Sequence, residues 1–289
     1  MGVGRWSRRW VGLAGRLRRA DLGLNAAAVA YHAFLAMVPL CLALLGAAAF
    51  IGGSEAALGR VDDALAALAP EPVREFITGL LREADSRVGG LKGWLIPGSV
   101  LVAVFLGSRA VVALQRALAQ ADSGTERRPA LQMRLVAAAL TAGGGLVLLL
   151  ASSLLVVGRN LFELLAEITG LGMLDEVWAW LRLPATAAGV FGFLVAFYRW
   201  GPPQPLPHSW LAATVGTAGV LGSSLVFGVY LGLAPSLGAT FGVLGAVALA
   251  MVWLYLGAFS ILLGALVAAP PGDAADDSAV SVDVIGPGE

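Results

Sequence analysis

Residues 241–269 read FGVLGAVALAMVWLYLGAFSILLGALVAA, a run without one charged side chain. As a helix rising 1.5 Å per residue it reaches about 43 Å, more than the roughly 30 Å of hydrocarbon in a bilayer. The run is apolar on every side and far longer than a barrel strand of roughly 10 residues, so it reads as a membrane-spanning helix. Five more stretches have the same character: residues 25–52, 94–119, 133–158, 177–200 and 208–233. The fourth of the six, 177–200, has the least clean apolar core, because Arg182 and Pro184 stand near its start. The whole chain is 58% hydrophobic and 13% charged over 289 residues, with a mean hydropathy of +0.82. Soluble domains carry about 25% charge, so a water-soluble globule is excluded, as is a disordered chain. A single cysteine, Cys41, excludes a disulfide-built secreted domain. The expected fold class is all-α: a polytopic integral membrane protein of six transmembrane helices with short extracytoplasmic amphipathic helices.

The zero net charge hides an asymmetry. With six spans, eleven Lys and Arg fall on one side, six of them before the first span (Arg5, Arg8, Arg9, Arg16, Arg18 and Arg19), and seven on the other; Arg109 lies within a span. The positive-inside rule then puts both termini in the cytoplasm and the protein in the cell membrane. The first span is too long for the h-region of a signal peptide and is expected to stay as an anchor. In the segment 1–24, Trp6, Trp10, Leu13 and Leu17 share one helical face, with arginines on the sides and back. That is the pattern of an interfacial helix whose partners are anionic lipid headgroups.

On the other side, residues 53–93 carry two apolar stripes: Leu58, Val61, Leu65 and Leu68, then Val73, Phe76, Ile77, Leu80 and Leu81. Pro72 suits the first turn of the second. Two separate amphipathic helices are expected there, and residues 159–176 read the same way. Residues 270–289 are acidic and aperiodic and are expected to form a disordered cytoplasmic tail.

The first span opens with AAAVAYHAFLAMVP at residues 26–39; LQRAL stands at 114–118, YRWGP at 198–202, FGVLGAV at 241–247, and Trp253-Leu254-Tyr255 precedes Leu262-Leu263-Gly264-Ala265. In this order and spacing the blocks resemble the YihY/BrkB family of bacterial inner-membrane proteins, from the first span to the last. The resemblance implies a six-helix protein of the cytoplasmic membrane. Members carry the names of virulence factor and of tRNA-processing ribonuclease, and roles in transport or envelope lipid movement have been considered. The chain departs from the family pattern at His32, at Phe241 and at Leu266, where an acidic residue is common.

Arg109 is the charge deepest in an apolar stretch, a placement that costs about 2.5–3.5 kcal/mol on insertion scales. It is expected to face the bundle interior or a wet cavity, bonded to backbone carbonyls, hydroxyls or a ligand anion; the alternative is that it snorkels toward the surface. Tyr31, His32, Tyr198, Arg199 and His208 fall at similar depth near one surface. With Arg109 they are the candidate substrate-binding residues, as the lining of a polar vestibule; the alternative for them is an ordinary interfacial belt. Pro39 is expected to kink the first span. Gly238, Gly242, Ala246 and Ala250 stand four apart and offer a packing seam.

There is no zinc-protease, Walker or nucleophile-elbow motif, and two histidines with one cysteine leave little for catalysis. The sequence therefore reads as a non-enzyme without cofactor or metal and without nucleic acid as partner. It fits a transporter or flippase-like handler of a lipid or small amphiphile, or else a membrane scaffold that organises the envelope; a membrane-bound ribonuclease fits least, because the cytoplasmic acids before the tail, Asp21, Asp122 and Glu126, stand on separated segments. The first two readings leave room for a homo-oligomer or an envelope-protein partner. Reporter fusions at the two chain ends are expected to report the same compartment; opposite compartments would overturn the even threading.

Overall fold

A computed structural model of the chain describes residues 21–66, 69–88, 95–121, 129–147, 173–203, 206, 208–233 and 236–268. These residues form seven helices and no strand. They are α1 (Leu22–Ala66), α2 (Glu71–Val88), α3 (Leu95–Ala121), α4 (Ala130–Val147), α5 (Met173–Trp200), α6 (Ser209–Leu233) and α7 (Ser236–Ala268). Among the described residues, five helices (α1, α3, α4, α6 and α7) are long and apolar enough to cross a membrane. In hydrocarbon every backbone polar group needs an internal partner, which a helix supplies along its own length. Several side-chain hydroxyls follow the same economy, the buried Thr217 hydroxyl excepted. Thr141, Thr214 and Ser260 each donate to the carbonyl four residues back, Ala137, Trp210 and Leu256, at 2.8, 2.9 and 2.8 Å.

The long helices meet at one end of the bundle. The starts of α1 (Leu22, Ala26, Val29), α4 (Ala137) and α6 (Ala212, Ala213) pack there in one core. The ends of α3 (Val111, Leu114, Ala117), α5 (Leu194, Phe197, Tyr198) and α7 (Ala258, Leu262, Ala265, Leu266, Ala268) complete it. Starts and ends alternate in chain order, so the six helices run up and down in turn. α5 belongs to this bundle through Leu194, Phe197 and Tyr198, although it is not one of the five apolar windows.

Small residues set the closest approach. A Cβ on Gly264 of α7 would stand 2.6 Å from the Ala212 carbonyl oxygen and 2.8 Å from the Gly216 nitrogen of α6. One on Gly219 would meet Ser260 Cβ at 2.8 Å, and one on Gly216 the Tyr198 hydroxyl at 2.8 Å. The seam therefore joins Gly216 and Gly219 to Ser260 and Gly264, with backbone against backbone. α4 is held similarly: Gly107 of α3 takes Thr141, and Gly144 takes the Phe193 ring of α5. The seam expected from Gly238, Gly242, Ala246 and Ala250 has a different neighbourhood. Ala250 is buried against Met37 of α1 and Val73, Ile77 and Leu81 of α2, and the surroundings of Gly238 and Gly242 lie outside the described residues.

Residues 53–66 do not begin a separate helix. α1 continues through Pro39 and on to Ala66 as one helix of 45 residues, about 68 Å at 1.5 Å per residue. Beyond the bilayer-crossing window Leu22–Leu40 it meets α2, whose Val73, Ile77 and Leu81 face packs with Leu58 and Leu65 and with Trp253 of α7. Arg74 of α2 reaches Asp62 of α1 at 3.4 Å and also pairs with Glu71. The amphipathic character expected of both stripes is thus used in a helical hairpin rather than in two isolated surface helices. The interfacial helix expected before Asp21, most of the segment 159–176 and the tail from 270 lie outside the described residues; Met173–Glu176 are the first turn of α5.

Gly264→Ala is expected to destabilise the bundle by about 1–3 kcal/mol, because backbone atoms oppose the new methyl. Gly222→Ala on α6, where a Cβ would meet nothing within 4 Å, should leave it unchanged. Thermal unfolding in detergent, followed by size-exclusion recovery, checks the pair.

Candidate functional site

α3 has two faces of opposite chemistry. Ala103, Ala110, Val111, Leu114, Gln115 and Ala117 are buried against the bundle. Leu101, Phe105, Arg109 and Arg116, spaced by four, four and seven residues, are exposed along the other side. The Arg109 guanidinium carbon lies 5.8 Å from the centroid of the Phe105 ring, within cation–π range. Among the described residues neither Arg109 nor Arg116 has a carboxylate partner. Arg109 therefore does not face the interior, as the sequence reading expected, but stands on the outer flank of α3. The pattern of buried alanines and leucines around it explains the placement: turning Arg109 inward would turn Ala110, Val111 and Leu114 out.

Gln115 is the polar group that α3 does present inward. Its Nε2 donates to the Gly201 carbonyl at 2.9 Å, and its Oε1 has no partner among the described residues. Gly201 in turn donates its N–H to the Phe197 carbonyl at 2.7 Å, and a Cβ there would stand 2.5 Å from that oxygen. So the blocks LQRAL and YRWGP touch through an amide and a glycine that has no room for a side chain. Sequence reading passed over Gln115 as a site; an uncharged amide within an apolar run is the signal that could have marked it.

The remaining candidates separate. Tyr198 is fully buried, its hydroxyl donating to the Ile261 carbonyl at 2.6 Å and its ring edge-on to Phe197. It is a tie between α5 and α7 and lines no vestibule. Tyr31 is 53% exposed and meets His32 in a T-shaped contact at 5.5 Å. The His32 ring N–H (Nδ1) donates to the Ala28 carbonyl at 2.8 Å within its own helix. Arg199 and His208 are exposed; the His208 carbonyl accepts from the N–H groups of Leu211 and Ala212 and so starts α6. With Trp200 and Trp210 also exposed, these side chains surround the junction from outside, as an interfacial belt does. Pro39 is half-buried inside α1. Among the described residues no group of three or more His, Cys, Asp or Glu could hold a metal ion.

Comparison with known proteins bears on this arrangement. The family described as Virulence factor BrkB matches residues 13–277. The chain belongs to this family. Among BrkB relatives, the ribonuclease-like protein YfkH of Bacillus subtilis is 26% identical over 247 residues, 83% of this chain and 86% of the relative. A UPF0761 membrane protein of Delftia acidovorans is 27% identical over 266 residues; these cover 88% of this chain but 60% of the relative. No solved structure matches. The match spans all seven described helices, including those that form the junction and the α1–α2 hairpin.

Tyr198→Phe is expected to leave folding intact and to lower stability by about 0.5–1.5 kcal/mol, the net worth of one neutral hydrogen bond. The same detergent unfolding measurement reads it, and no loss would mean that the ring alone ties α5 to α7.

Proposed function

We propose that this BrkB-family membrane protein handles a lipid-like amphiphile along the outer flank of α3, with Arg109 engaging the polar head. One observation carries the reading: a guanidinium halfway along an apolar helix, exposed and resting on Phe105. A cation at that depth is expensive unless it meets an anion or water. On this flank its neighbours are Leu101 and Phe105, which suit acyl chains. An amphiphile whose head meets Arg109 while its tails stay in the bilayer satisfies both conditions. The filled core at the junction favours this peripheral route over passage through a central pore.

A second reading, a scaffold in the envelope, draws support from the hairpin of α1 and α2 and its Arg74–Asp62 tie. It predicts one defined crosslink in intact cells from a photoreactive group at the exposed Leu80. RNA cleavage, raised by the name of the YfkH relative, finds among the described residues no metal-ligand group on which to build a mechanism.

In vesicles containing the purified protein, exchange of fluorescent phospholipid between leaflets should exceed that of protein-free vesicles. Arg109→Gln should lower it about tenfold, the factor that accompanies loss of one charge-assisted hydrogen bond of ~1.5 kcal/mol. A fully active Arg109→Gln protein would sink the assignment of this site.

A further inference from the structure

We propose that α3 carries two successive stations for the phosphate of an anionic phospholipid, Arg116 at the membrane surface and Arg109 about 10 Å deeper. This rests on the lipid-handling reading and names its substrate class. The depth of the first station follows from a contact. Gln115, the neighbour of Arg116, bonds the carbonyl of Gly201 at 2.9 Å. Gly201 follows the exposed Arg199 and Trp200, side chains that mark the headgroup level of a membrane protein. Arg116 therefore stands at that level, on the outward side. Seven residues back along α3, about 10 Å at 1.5 Å each and within 20° of the same face, stands Arg109. Half of a roughly 30 Å hydrocarbon layer is about 15 Å, so the second station reaches most of the way to the midplane.

The chemistry points to phosphate. A guanidinium presents a planar fork of N–H donors that matches a phosphate oxygen pair. None of the five spanning windows contains an Asp or Glu, so those windows of a second copy bring no carboxylate to the depth of Arg109. A lipid brings its own anion, and its tails can lie beside the exposed Leu101 and Phe105. Ser108 does not compete for the head, because its hydroxyl already donates to the Phe105 carbonyl at 2.8 Å.

The test uses the full chain in vesicles of phosphatidylcholine alone or mixed with phosphatidylglycerol. Leaflet exchange of each fluorescent lipid is measured for wild type, Arg109→Gln, Arg109→Lys and Arg116→Gln. Size exclusion confirms that each variant is folded. Expected is a preference for phosphatidylglycerol of about tenfold, lost in either glutamine variant and partly kept in Arg109→Lys, which retains charge without the fork. Equal movement of both lipids, or a wild-type preference in Arg116→Gln, overturns the two stations while leaving lipid handling standing. Abolition of the preference by millimolar glycerol phosphate in the medium assigns the site to a soluble phosphate and overturns the lipid. Movement of neither lipid defeats the lipid-handling reading itself.

Discussion

The approach of α7 to α6 at Gly264 is the contact on which the rest of the bundle depends. A side chain as small as a methyl would collide there with the Ala212 carbonyl and the Gly216 nitrogen. In hydrocarbon, helices gain nothing from hiding apolar surface from water, so association relies on van der Waals contact at short range. Glycine at both sides of the crossing makes that range available. Because α7 also touches α1, α2 and α3, its position against α6 orients most of the molecule. Gly216 then meets Tyr198 of α5 on its other side, and the three helices are locked together around one small residue.

Polar groups serve this packing rather than a central cavity. The Tyr198 hydroxyl and the Gln115 amide each cross from one helix to the backbone of another part of the chain, at 2.6 and 2.9 Å. Both sit where the helix starts and ends converge, so they fasten the junction at which the chain turns between α5 and α6. At the opposite end the apolar stripe of α2 closes on α1 and α7, and Trp253 donates to Ser224 at 2.9 Å across α7 and α6. With both ends of the bundle tied by short contacts, the charged side chains Arg109 and Arg116 of α3 are left on the outer surface without a carboxylate partner among the described residues.

α3 expresses that division within a single helix. Ala103, Ala110, Leu114, Gln115 and Ala117 are consumed by the bundle, and Arg109 is left where a membrane-spanning helix usually shows leucine or valine. An exposed arginine at mid-helix costs stability unless its surroundings supply an anion.

Much of this was readable in the residues themselves. Uncharged runs longer than a bilayer dictate helices, since no other open structure satisfies its own backbone in oil. The same runs determined that α3, α6 and α7 begin and end within a few residues of where they do, and the ordered blocks from Ala26 to Ala265 matched the family. Facing could not be read. Arg109 was expected inward because a charge avoids lipid, yet its neighbours Ala110, Val111 and Leu114 have the stronger claim on the interior. Glycine spacing suggested Gly238 to Ala250 as the seam, but four-residue spacing recurs all along these helices, and only the placement of α6 singles out Gly264. Composition along a chain determines which segments enter a membrane. Which side of each helix meets another helix, and which is left to the lipid, is a property of all the helices at once and was decided by the tertiary structure.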